Sequence, residues 1–118
     1  MKKIINLSLY KNKRLELEEK NIKAIYNDNK YSFIINDVKT TISDSIFTRE
    51  TPEYLFSLNI KDKKSTYLLK EKNMVFDIDV EKIEYERRRQ EIILVYKISS
   101  DEEEFKIIIE DLEGEINE

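Results

Sequence analysis

Asp77 and Asp79 stand two residues apart in Phe76-Asp77-Ile78-Asp79-Val80. On a strand that spacing puts both carboxylates on one face, roughly 6–7 Å apart. Such a pair can hold a hard cation or divide acid and base work. The same alternation gives Met74, Phe76, Ile78 and Val80 the other face, and four apolar residues claim an interior before two aspartates do, so the aspartates are expected to face water. Little else could do chemistry. The chain has no His, no Cys, no Trp and a single Gly, Gly114. Ser-His-Asp and Cys-His nucleophiles, the preferred ligands of zinc and any Gly-rich phosphate cradle are therefore missing. No catalytic residue, metal site or cofactor is expected, and the protein is not read as an enzyme.

Residues that could bind remain. Arg49, in Phe47-Thr48-Arg49-Glu50 just ahead of Pro52, is expected opposite the neighbours of Phe47 and partly buried. Bridging to a carboxylate outweighs anchoring a ligand as its role. Tyr54, Tyr67 and Tyr96 are spaced as core residues and lack the basic interleaving of a base-stacking platform. With Arg49 they are the side chains a ligand at a barrel mouth would meet. A third group is basic: Lys61, Lys63, Lys64, Arg87, Arg88 and Arg89.

All of these residues must be held by strands. Between Tyr54 and Ile109 apolar residues recur at every second position, as in Tyr54, Phe56, Leu58 and Ile60, or Ile92, Leu94, Tyr96 and Ile98. That period means a sheet with one packed and one solvated face. Strands are expected at 3–10, 14–18, 22–27, 30–36, 38–43, 45–50, 53–60, 65–71, 74–84, 91–99 and 103–110, with 14–20 open to a helical turn. With so little Gly, turns that need a positive φ must use Asn or Asp, at 27–29, 36–37 and 73. Pro52 falls at a break where a central strand could not hold it. Short connections imply an antiparallel meander, and closure removes exposed edges. The fold expected is all-β, an up-and-down barrel of about 8–10 strands, with a two-sheet sandwich as the alternative. One domain spans 1–111, and 112–118 form a short acidic tail.

The 118 residues carry a net charge of -4, with 40% hydrophobic and 39% charged residues, a balance that folds but argues against general polyanion binding. In a meander successive turns alternate between ends. Sorted this way, Lys11, Lys13, Arg14, Lys30, Lys61, Lys63, Lys64 and Arg87 to Arg89 gather at one end against Asp28, Asp44, Asp62 and Glu86, and Glu18, Glu19, Asp37, Glu50, Glu53, Glu71 and 101–104 at the other against Lys20, Arg49, Lys70 and Lys72. Strand 91–99 would hold the arginine triplet roughly 25 Å from the acidic run. A basic rim of this kind could meet nucleic acid or an acidic protein.

The succession Lys39-Thr40-Thr41-Ile42, Phe47-Thr48-Arg49, Tyr54 to Leu58, Tyr67-Leu68-Leu69-Lys70, Phe76 to Val80 and Ile92 to Ile98 around Tyr96 resembles the YwiB-like family of small bacterial proteins. The likeness covers roughly residues 23–109. It implies a closed calycin-like β-barrel and no particular activity. The leading functional expectation is a binding module for a small apolar or amphipathic ligand at the barrel mouth, the alternative an interaction module that uses the basic rim. No signal peptide or membrane span is read from the chain, so cytoplasmic residence is expected. Outward Ile93, Val95 and Ile108 suggest a homodimer face.

Overall fold

The structure, a computed structural model, describes residues 1–100 and 102–112. Eleven strands are joined in order: β1 (Lys2–Lys11), β2 (Arg14–Asn27), β3 (Lys30–Ile35), β4 (Val38–Ile42), β5 (Ile46–Glu50), β6 (Tyr54–Asn59), β7 (Lys64–Leu69), β8 (Met74–Ile78), β9 (Val80–Arg88), β10 (Glu91–Ile98) and β11 (Glu103–Asp111). No described residue is helical, and no helix is long and apolar enough to cross a membrane. All form one antiparallel sheet in the order β8-β7-β6-β5-β4-β3-β2-β1-β11-β10-β9. The sheet curls into a nearly closed up-and-down barrel.

The expected turn chemistry holds. Asn12-Lys13, Asp28-Asn29 and Asn36-Asp37 each put two successive residues at positive φ, between 49° and 69°. Those values match the two-residue hairpin whose twist suits the flanking strands, and Asn and Asp reach this region with less strain than other side chains. Pro52 lies between β5 and β6, where Thr51 Oγ1 accepts from Glu53 N and Tyr54 N, both at 3.1 Å.

Alternation decides what lies inside. Ile5, Tyr31, Ile42, Phe47, Leu58 and Leu94 are each 0–1% exposed and face the barrel axis. Tyr96 lies against Phe47, Phe56 and Phe105 with ring centroids 5.8, 5.7 and 5.1 Å away, filling the middle with aromatic rings. The first and last strands, β1 and β11, pair in mid-sheet, in register from Ile5 opposite Asp111 to Lys11 opposite Phe105. The chain beyond residue 112, most of the expected acidic tail, lies outside the described residues, as does Asp101. Leu112 N still donates to Ile4 O at 3.1 Å.

Two strand assignments differ from expectation. Residues 14–27 form one strand, because Asn21, φ 57°, is a bulge and not a turn. Its N–H donates to Asn6 Oδ1 at 3.0 Å, and the β1–β2 register shifts between Ile5 and Leu7. Residues 74–88 in turn form a single extended run broken at Asp79. Below the break β8 pairs with β7, from Ser65 opposite Ile78 to Leu69 opposite Met74. Above it β9 pairs with β10, from Ile98 opposite Val80 to Glu91 opposite Arg88. No ladder joins β8 to β9, so the barrel's seam is carried by continuous chain.

Candidate functional site

The bulge at Asn21 opens the wall. Strand β3 meets β2 only at Ile25–Ser32, Tyr26–Tyr31 and Asn27–Lys30, so the half of β2 before Ala24 pairs with β1 alone. An extra residue bends its strand, and here the bend leaves a slot between β2 and β3. Within it lies a cavity of about 160 Å³, lined by Leu7, Leu9, Leu17, Ile35, Asn36, Val38, Thr40, Phe47 and Arg49. Its apolar members come from β1, β2, β3, β4 and β5, so its shape depends on the whole of that wall.

Arg49 is the charged member. It pairs with Thr40 on one side and Phe56 on the other, both buried and inward, so it shares the face of Phe47. The bridge to a carboxylate expected from the sequence is not formed: among the described residues no ion pair includes Arg49. Its neighbour Glu50 faces out and binds Lys70 at 2.7 Å; that hydrogen bond holds the Glu50 carboxyl below its ordinary range. Burial raises the Tyr96 hydroxyl pKa, and the Arg49 and Tyr54 side chains act on it electrostatically in opposite directions. Tyr54 stacks on Tyr67 at 5.1 Å. The residues expected at a ligand mouth therefore do converge, but only Arg49 lines the cavity; the three tyrosines form the aromatic packing beside it.

The other mouth holds a second cluster. Lys3 Nζ and Tyr31 OH each donate to Asp111 Oδ2 at 2.8 Å. Lys3 lies 4.4 Å over the Tyr26 ring, which packs 4.7 Å from Tyr31. Arg87 pairs with inward Ile92, lies 5.5 Å over Tyr31 and donates to its hydroxyl at 3.4 Å. Burial first, then the bond to Asp111, pushes the Tyr31 hydroxyl well above its usual value. Arg87 is thus an inward strand residue, not part of a basic turn. The signal was present in Ile83, Tyr85 and Arg87, which continue the alternation beyond 84.

The charge sorting of the two rims is weaker than expected, because three basic residues change ends. Merging 14–18 with 22–27 into one strand moves the turn at 12–13 to the other end, where Asn12 N donates to Glu104 O at 2.7 Å and Lys11 meets Glu103 at 3.0 Å. Lys11, Lys13 and Arg14 therefore join the acidic hairpin. At the expected basic end Arg88 pairs with Glu86 and Glu91, and Lys61 lies 4.0 Å from Asp44. Lys63, Lys64 and Arg89 form no ion pair among the described residues. Asp77 and Asp79 are exposed on the outer face, as expected, and no described His, Cys, Asp or Glu residues group to hold a metal. Ile93, Val95 and Ile108 are outward but only partly exposed. Comparison of the chain with protein-family models, curated proteins and solved structures finds no match.

Proposed function

We propose that this barrel, a YwiB-like, calycin-type module of the bacterial cytoplasm, binds a small amphipathic carboxylate, with the carboxylate on Arg49 and the apolar part in the slot between β2 and β3. One observation carries the reading: an inward arginine without a carboxylate partner among the described residues lines an otherwise largely apolar cavity. A charge so placed is stabilised by an arriving anion, and guanidinium matches carboxylate in a two-pronged hydrogen bond. At about 160 Å³ the space is below the usual range for drug-sized ligands and suits a phenyl ring or a short alkyl chain. The alternative, an interaction through the basic rim, keeps Lys61, Lys63, Lys64, Arg88 and Arg89 at one end but has lost Lys11, Lys13 and Arg14 to the other.

The test is titration with phenylacetate and hexanoate, followed by the methyl resonances of Leu17, Ile35 and Val38. Saturable shifts are expected there. Arg49→Gln should weaken binding about tenfold or more, the worth of one charge-assisted contact, while phenylethanol, which lacks the charge, should bind as weakly to wild type as phenylacetate does to the variant. Unmoved methyls, or equal affinity for the variant, would refute the assignment.

A further inference from the structure

Among the described residues, the polar or charged side chains of the interior are those of Lys3, Thr40, Ser43, Ser65 and Asp111. All but one are held. Lys3 and Asp111 meet each other, Ser43 Oγ accepts from Ser45 N and Ile46 N at 3.2 Å each, and Ser65 Oγ donates to Ile78 O at 2.8 Å. Thr40 is the exception. It is only 8% exposed, and its hydroxyl makes no hydrogen bond among the described residues. Buried hydroxyls are almost always bonded, so an unbonded one calls for a cause. No buried side-chain oxygen or nitrogen among the described residues is sealed off without a partner, so the Thr40 hydroxyl opens onto space. The space that Thr40 lines is the Arg49 cavity.

We propose, resting on the carboxylate reading of the same cavity, that its ligand is a 2-hydroxy acid: the carboxylate on Arg49, the apolar group in the slot between β2 and β3, and the hydroxyl of the carbon that joins them bonded to Thr40. Thr40 stands directly opposite Arg49 in the β4–β5 ladder, and cross-strand partners of this kind hold their Cβ atoms about 5 Å apart on one face. A cavity of about 160 Å³ is only a few atoms across, so the atom next to an arginine-bound carboxylate comes within reach of the threonine. The lining also selects the substituent. Its polar members are Asn36, Thr40 and Arg49, with no carboxylate among them, so an ammonium on that carbon would lie beside the guanidinium with nothing to neutralise it. A hydroxyl carries no charge and can either accept the threonine's proton or give its own. Asn36 differs from Thr40 in that it stands in the exposed turn before β4, where solvent reaches its amide.

Phenylacetate and mandelate differ only by that hydroxyl, so titrating the two against the same methyl resonances isolates it. One enantiomer of mandelate should bind wild type about three- to tenfold more tightly than phenylacetate, the worth of one hydrogen bond. Its mirror image should gain nothing, because three fixed contacts around one carbon admit one hand. Phenylglycine, which puts an ammonium in the same place, should bind more weakly than phenylacetate. Thr40→Val keeps the shape and removes the hydroxyl. It should bind phenylacetate as wild type does, lose both the gain and the preference for one hand, and unfold in urea at a midpoint no lower than wild type, since no bond within the chain is broken. If neither phenylacetate nor mandelate binds, the carboxylate reading falls and this one with it. Phenylacetate binding with no gain from the hydroxyl, a gain that survives Thr40→Val, or a lowered midpoint in that variant would overturn the 2-hydroxy acid alone.

Discussion

Arg49 and Arg87 hold comparable positions at opposite mouths, each inward on its strand and each outside any ion pair among the described residues. Their surroundings differ. Arg87 rests on Tyr26 and Tyr31, so its charge already has aromatic faces to lie against, while Arg49 looks onto an apolar cavity. At the Arg87 mouth the buried Lys3–Asp111 pair should be strongly coupled. Asp111→Ala leaves Lys3 and the Tyr31 hydroxyl without their acceptor and should cost about 3–5 kcal/mol in urea unfolding, whereas Tyr31→Phe should cost nearer 1 kcal/mol. Tyrosines also set the alkaline limit. Burial leads the upward shift of Tyr31, Tyr85 and Tyr96 from the ordinary value of 10.0. A raised value means the folded chain keeps a proton that the unfolded chain has lost, so this stabilisation is complete below pH 10 and falls as pH rises beyond it. The slope is at most about 1.4 kcal/mol per pH unit for each tyrosine. With no His or Cys, the unfolding midpoint should be nearly flat from pH 6 to 9 and drop above 10, with a shallower drop in Tyr31→Phe.

At the scale of elements, the period-two pattern made nearly every strand readable, because a strand with one wet face must alternate. The inward set Phe47, Phe56, Leu58, Leu94 and Tyr96 followed from it, as did the outward aspartates. What escaped was continuity. The gap left at 19–21 between two expected strands is a left-handed bulge within one, and that single parity error transferred Lys11, Lys13 and Arg14 to the wrong end. The break at Asp79 was equally silent, since Ile78 and Val80 keep their alternation across it while the pairing partner changes from β7 to β10. The slot was out of reach for the same reason: it arises from a ladder that stops, which composition does not record. Asn21 can be tested directly. At φ 57° Asn21→Gly should be neutral or slightly stabilising, while Asn21→Val should cost about 1–2 kcal/mol and weaken phenylacetate binding by disturbing the bend.

The whole molecule depends on one long-range pairing. Every ladder but one joins strands consecutive in the chain; the exception sets Ile5 against Asp111. Folding must therefore bring the two ends of the sequence together, and refolding by stopped flow should take milliseconds to seconds, as for other sheets rich in distant contacts. Removing residues 2–11 should leave the rest unfolded, because β2 and β11 would both lose their neighbour. The gap in pairing at Asp79 has a converse. Read from Val80 around to Ile78, each stave follows the next without exception, so the first and last strands lie mid-ribbon and the selvedge lies at an internal residue. A circularly permuted gene that joins Asp111 to Lys2 by a short linker and starts at Val80 would encode the same cylinder as an unbroken zigzag, trading its most distant partnership for a local hairpin and folding faster than the parent.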